Sequence, residues 1–199
     1  MSLTPVPGGH VATIVTALEM TQRPPARPLP PSPYMLKRWH NPDSDRYRTL
    51  FTRVGAPWLW FSRLVMPATQ LRAILDDPLV EVYAMIDRAG VELGMLELDF
   101  RESGACELSY LAVVPELAGK GHGGWLMANA LGLGWRRGVT RMWVHTCTLD
   151  HPRALGFYIR HGFMPFARSI ETFADPRLTA HLPRDSAPHV PRFDPAVRR

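Results

Sequence analysis

The chain has 199 residues, 46% hydrophobic, 10% aromatic and 21% charged; that is enough apolar surface for one core and excludes a disordered chain, while no run of about 18 apolar residues marks a membrane span. The net charge of +5 sits in the two ends: Arg23, Arg27, Lys37 and Arg38 outweigh Glu19 in residues 1–40, and Arg177, Arg184, Arg192, Arg198 and Arg199 outweigh Asp185 and Asp194 in residues 176–199. No basic run interleaved with aromatics and no zinc-finger pattern occurs, so neither nucleic acid nor membrane is an expected partner.

Residues 10–20 alternate well enough to read as a first strand. Pro24, Pro25, Pro28, Pro30, Pro31 and Pro33 then deny helix and ladder bonds, predicting an irregular strap packed over the domain. Asp43-Ser44-Asp45 is a helix start, because Tyr47, Leu50, Phe51 and Val54 follow at helical spacing until Gly55 and Pro57 stop them. The apolar segment Trp58-Leu59-Trp60-Phe61 leads to a second helix near 68–77, ended by Pro78.

Three strand-like runs follow, Val80 to Asp87, Glu92 to Phe100 and Cys106 to Val114, and their short connections make them antiparallel neighbours. A glycine-rich turn then opens a helix over about 123–137. After it come a strand at Arg141 to Leu149, a helix near Pro152 to Arg160, and a strand from Phe163 to Phe173. Only the crossover from Leu108 to Val144 requires parallel neighbours. The expected fold is α/β of the α+β type: a mixed, mostly antiparallel sheet of about six or seven strands flanked by about four helices. Residues 1–40 read as first strand and strap, 41–175 as the core, and 176–199, rich in proline and arginine, as a surface tail.

Two cysteines, Cys106 and Cys147, are too few for a disulfide framework, and the first twenty residues lack the pattern of a secretory signal, so the expected compartment is the cytoplasm.

Gly119-Lys120-Gly121-His122-Gly123-Gly124 joins a strand to a helix start. Glycines let backbone amides crowd a ligand and the helix start adds positive potential, so the turn reads as a phosphate cradle to which Lys120 adds a cation. Gly119, Gly121 and Gly124 also satisfy the dinucleotide fingerprint, which keeps a nucleotide-dependent oxidoreductase as an alternative. That fingerprint wants a parallel sheet and a carboxylate about 20 residues on, where this chain has Arg141.

From Leu108 to Phe163 the chain resembles the GNAT superfamily of N-acetyltransferases. Their pyrophosphate motif, Arg/Gln-x-x-Gly-x-Gly/Ala, lies in register with Ala118 to Gly123, and their Asn-x-x-Ala-x-x-x-Tyr-x-x-x-Gly-Phe with His151, Ala154, Tyr158, Gly162 and Phe163. Two residues depart from the pattern: Ala118 replaces the Arg or Gln, and His151 the Asn. The resemblance implies a GNAT-like acyl-CoA N-acyltransferase fold, a catalytic core over 41–175, and transfer of an acetyl group from acetyl-CoA to an amine of a small molecule or peptide by direct attack. The implied partners are acetyl-CoA and that amine, with a homodimer left open and no metal. It further implies that the backbone amides of Leu111 and Val113 hold the pantetheine arm, that Gly121, His122, Gly123, Gly124 and Lys120 hold the diphosphate, with His151 in the Asn position, and that Tyr158 protonates the departing thiolate. A GNAT-shaped module that binds CoA or a protein without turnover is the non-enzyme alternative, raised by Ala118 and His151.

The amine must lose a proton, and Glu107, or else Glu97 or His145, is the candidate base. His145 and Cys147 share a strand face, but strand periodicity supplies only two ligands before the turn, fewer than a zinc site needs. Cys147 as an acetylated nucleophile is a third option, ranked below direct transfer. Trp58, Trp60 and Phe61 fall where the family builds its acceptor pocket; if they line it, the acceptor has an apolar portion.

Overall fold

The computed structural model describes residues 3–25 and 28–196; Arg27, Arg198 and Arg199 of the basic ends lie outside the described residues. In chain order the elements are β1 (His10–Met20), β2 (Met35–Trp39), α1 (Ser44–Gly55), α2 (Ser62–Val65), α3 (Ala68–Leu75), β3 (Val80–Ile86), β4 (Glu92–Asp99), β5 (Ala105–Val113), α4 (His122–Gly134), β6 (Arg141–Cys147), α5 (Ala154–Arg160) and β7 (Met164–Ala174). They build one seven-stranded sheet of order β2-β3-β4-β5-β6-β1-β7, antiparallel throughout except for β5 against β6. The mixed, mostly antiparallel sheet predicted from the sequence is the one observed.

Local chemistry explains the element boundaries nearest the site. Asp43 Oδ2 accepts from the amides of Asp45 and Arg46, both at 3.1 Å, and caps α1. Tyr47, Leu50, Phe51 and Val54 then form its buried stripe. At the other end, a Cβ on Gly55 would stand 2.6 Å from Cβ of Trp60, so only glycine lets the chain turn back and aim Trp58 to Phe61 under the sheet. One sheet face packs Leu18, Leu98, Leu108 and Val144 against α4 and α5, and the other packs Val82, Ala84 and Met95 against α1 and α3.

The sheet is not continuous. β5 and β6 pair only at Ala105–Arg141, Cys106–Met142 and Glu107–Trp143, whereas β5 follows β4 as far as Val113 and β6 follows β1 as far as Cys147. A register shift between Glu97–Tyr110 and Leu98–Leu108 leaves Ser109 extra on β5 and bends that strand away. Beyond Glu107 the sheet therefore opens in a V.

Two elements depart from the expectation. β2 and the single-turn α2 are additions; β2 is an edge strand of five residues whose Lys37 and Arg38 carry no apolar alternation. Residues 176–196, mostly exposed, are tied to the domain at a few buried positions. The buried guanidinium of Arg177 binds Asp175 at 2.7 Å and donates to the carbonyls of Ser186, Ala187 and Val190 at 3.3, 3.2 and 2.9 Å, while Leu182 and Ala187 bury against Val11, Leu59 and Leu149. One planar fork of donors satisfies carbonyls that no ladder serves, which is how a segment without periodicity becomes ordered.

Candidate active site

A cavity of about 400 Å³ fills the V. Alternation sends Val144 toward α4 and α5 and His145 and Cys147 toward α1 and α2, and the extra residue Ser109 sets Leu108 on the first face and Tyr110 and Ala112 on the second; all six line the cavity, so it passes through the sheet from one face to the other.

On the α4 side the wall is backbone. Gly119 and Gly121 adopt φ of +76° and +87°. The amides of Gly119, Gly121, His122 and Gly123 make no backbone hydrogen bond among the described residues, whereas those of Lys120 and Gly124 bind Leu117 at 3.3 Å and Gly121 at 3.1 Å. Gly119, Gly121, Gly123 and Gly124 line the cavity. The side chains of Lys120 and His122 do not: Lys120 is exposed, and the ring of His122 packs edge-on to Tyr34 at 4.8 Å. In such a turn the amides converge on the concave side and the side chains radiate from it, so the cation expected of Lys120 is turned away from the cavity.

The amide of Val114 donates to Leu93 at 2.9 Å, toward β4. Alternation then aims the amides of Leu111 and Val113 the other way, into the gap left by β6. Tyr158 stands across that gap. It is 8% exposed, lies edge-on to Phe157 and Phe163 at 5.6 and 6.1 Å, and its hydroxyl has no hydrogen-bond partner among the described residues. Burial, with the charge of Asp150 adding to it, raises its pKa well above 10, so it stays a proton donor across the working pH range. His151 also lines the cavity; its Nδ1 accepts from the amide of Arg153 at 3.1 Å, turning the ring's other side toward Trp58 at 5.3 Å.

On the α1 side, the structure separates the three candidate bases. Glu97 is fully buried and committed: its carboxylate accepts from Tyr47 at 2.6 Å and pairs with Arg63 at 2.5 Å. Glu107 does not line the cavity; its Oε1 lies 3.6 Å from Nδ1 of His145, which does. That carboxylate raises the His145 pKa above 6.5 against the opposing effect of burial. Glu107 thus reaches the cavity only through His145. Cys147 lines the cavity too, but burial pushes its thiol pKa up, which disfavours the thiolate a nucleophile requires. Among the described residues no three His, Cys, Asp or Glu side chains converge to hold a metal.

Trp58, Trp60 and Phe61 all line this half of the cavity, with Tyr110 and Phe173. The carboxylate of Asp150 fixes their frame, accepting from Trp60 Nε1 at 3.0 Å, Thr146 at 2.6 Å and the Cys147 amide at 3.0 Å. Glu171, on β7, is the lining carboxylate without a partner among the described residues. Sequence reasoning passed over Glu171, since only strand order β6-β1-β7 brings it to the V. Among the described residues no helix is long and apolar enough to cross a membrane.

Comparison with known proteins bears on this geometry. No curated protein matches the sequence. Among solved structures, a GCN5-related N-acetyltransferase from Sphaerobacter thermophilus superposes with a TM-score of 0.62 at 18% identity, covering 96% of this chain and 56% of the other. A GCN5-related N-acetyltransferase from Kribbella flavida gives 0.54 at 16%, covering 86% and 63%, and an aminoglycoside acetyltransferase from an uncultured soil metagenomic sample gives 0.53 at 17%, covering 65% and 88%. The chain thus spans little more than half the length of the first of these. These likenesses establish a shared fold. The profile of the acetyltransferase (GNAT) family matches residues 57–163, from the aromatic segment under the V to Phe163, and the chain belongs to that family.

Proposed function

We propose that this protein transfers an acetyl group from acetyl-CoA to a small or peptide amine by direct attack with both substrates bound, in a reducing cytoplasm. The observation that carries the reading is the passage of one cavity through the sheet, with unpaired amides at one mouth and a His–Glu pair and aromatic wall at the other. The donor enters from the α4 side, where the amides of Gly119, Gly121, His122 and Gly123 hold its diphosphate. The amides of Leu111 and Val113 hold the pantetheine arm and polarise the thioester carbonyl. His145, oriented by Glu107, takes the amine proton, and Tyr158 gives a proton to the departing thiolate. Glu107 is in this reading a positioning residue rather than the base itself.

The acceptor half supports an amine with an apolar body. Trp58, Phe61 and Phe173 offer ring surface, while Glu171 and the His145–Glu107 pair offer negative charge to an ammonium group. The oxidoreductase alternative loses its support, since the glycine turn sits in a mostly antiparallel sheet. The test is free-thiol release from acetyl-CoA against a panel of amines, read alongside the mass of the amine. Amine-dependent release with an acetylated product supports the reading; acetyl-CoA binding with no release for any amine supports a binding module instead.

A further inference from the structure

In the resemblance by which the turn is recognised, position 118 carries an Arg or Gln, and here it is Ala118. The cavity nonetheless has two cations at that mouth. Arg153 and Arg160 both line it beside Gly119, Gly121 and Gly123. They stand seven residues apart at the two ends of α5, which puts them on the stripe that also carries Phe157. Neither guanidinium has an ion-pair or hydrogen-bond partner among the described residues.

Two glycines make room for them. A Cβ on Gly119 would stand 3.3 Å from Nη2 of Arg153, and a Cβ on Gly156 would stand 3.3 Å from Nη1 of Arg160. Arg153 therefore reaches from α5 across to the turn that follows β5, and Arg160 folds back along its own helix toward the same mouth. All the other charges lining the cavity are carboxylates, Asp150 and Glu171, apart from the imidazoles. Charge is thus segregated along the passage, positive by the free amides and negative by the aromatic wall.

We infer that Arg153, assisted by Arg160, is the donor's phosphate clamp in this protein and does from α5 what a side chain at position 118 would otherwise do. The inference rests on the functional reading above. A guanidinium matches phosphate geometry with two parallel donors, and one placed over the glycine turn meets the same diphosphate oxygens as the amides beneath it.

The test is calorimetric titration of the full chain with acetyl-CoA and with acetyl-pantetheine, which lacks the diphosphate. Arg153→Ala should weaken acetyl-CoA about tenfold and leave acetyl-pantetheine unchanged, Arg153→Lys should retain part of the affinity, and Ala118→Arg added to Arg153→Ala should recover it. Arg153 is exposed, so these variants fold. Unchanged acetyl-CoA affinity in Arg153→Ala, or an equal loss for both ligands, overturns the clamp. Failure of the unaltered protein to bind acetyl-CoA overturns instead the reading on which the clamp rests.

Discussion

Glu107 and His145 meet at the apex of the V: Oε1 of the first lies 3.6 Å from Nδ1 of the second, which stands two residues past Trp143, the partner of Glu107 in the last pair that β5 and β6 share. The two strands stop exchanging backbone hydrogen bonds there and begin exchanging a side-chain contact. The place where the sheet opens is the place where a titrating group is held into the opening.

Because Glu107 raises the His145 pKa, the base is protonated, and idle, up to a higher pH than a free imidazole would be. Glu107→Gln should move the acid limb of kcat/KM to lower pH, toward the ordinary value near 6.5, while lowering the plateau; His145→Ala should remove that limb. The same shift has a stability counterpart of known sign. The raised folded pKa adds stability below the unfolded value, and that addition is lost as pH rises through the folded one. A pH profile of kcat/KM for the three proteins decides the point.

Tyr158→Phe removes a hydroxyl with no partner among the described residues and keeps the ring between Phe157 and Phe163. Thiol release should fall by about 10² to 10⁴-fold, with the thermal midpoint nearly unchanged. Equal loss of folding and activity would mark the residue as packing alone.

Cys147 should carry no acetyl group after incubation with acetyl-CoA in the absence of an amine, as read by intact-protein mass spectrometry. Burial raises its thiol pKa and so disfavours the thiolate that a two-step route needs.

Arg63→Ala strands the fully buried carboxylate of Glu97, with Tyr47 alone left to donate to it. The loss in urea unfolding should be about 3–5 kcal/mol. Since Arg63 sits on α2 and Glu97 on β4, the same variant should loosen Ser62, whose hydroxyl bonds Tyr110 at 2.8 Å on the acceptor side.

Much of this arrangement is legible in the sequence, for reasons that differ from element to element. The capped stripe of α1, the alternation of β1, and the short links among β3, β4 and β5 are local signals, and the structure follows each of them. The motif register places Tyr158 and the glycine turn on the cavity wall without any tertiary information. The rest depends on juxtaposition. Lys120 reads as a ligand cation by its position in the turn, yet the turn's curvature sends it outward. Arg153 and Arg160 belong to no motif and come to the cavity only where α5 is laid against the glycine turn. Glu97 and Glu107 share one face of the sheet and separate only when α1 and α2 cover the first, with Tyr47 and Arg63 on its carboxylate, and β6 sets His145 beside the second. Arg177 reads as a tail charge because its partners are carbonyls, which no residue code announces.

Titration of the unaltered protein with acetyl-CoA tests the central claim most directly, since the amide cradle, the V and Tyr158 all presuppose that ligand. The account predicts one saturable site with a dissociation constant between about 1 μM and 1 mM, and competition by free CoA. No detectable binding in that range, or binding undiminished by CoA, would contradict it.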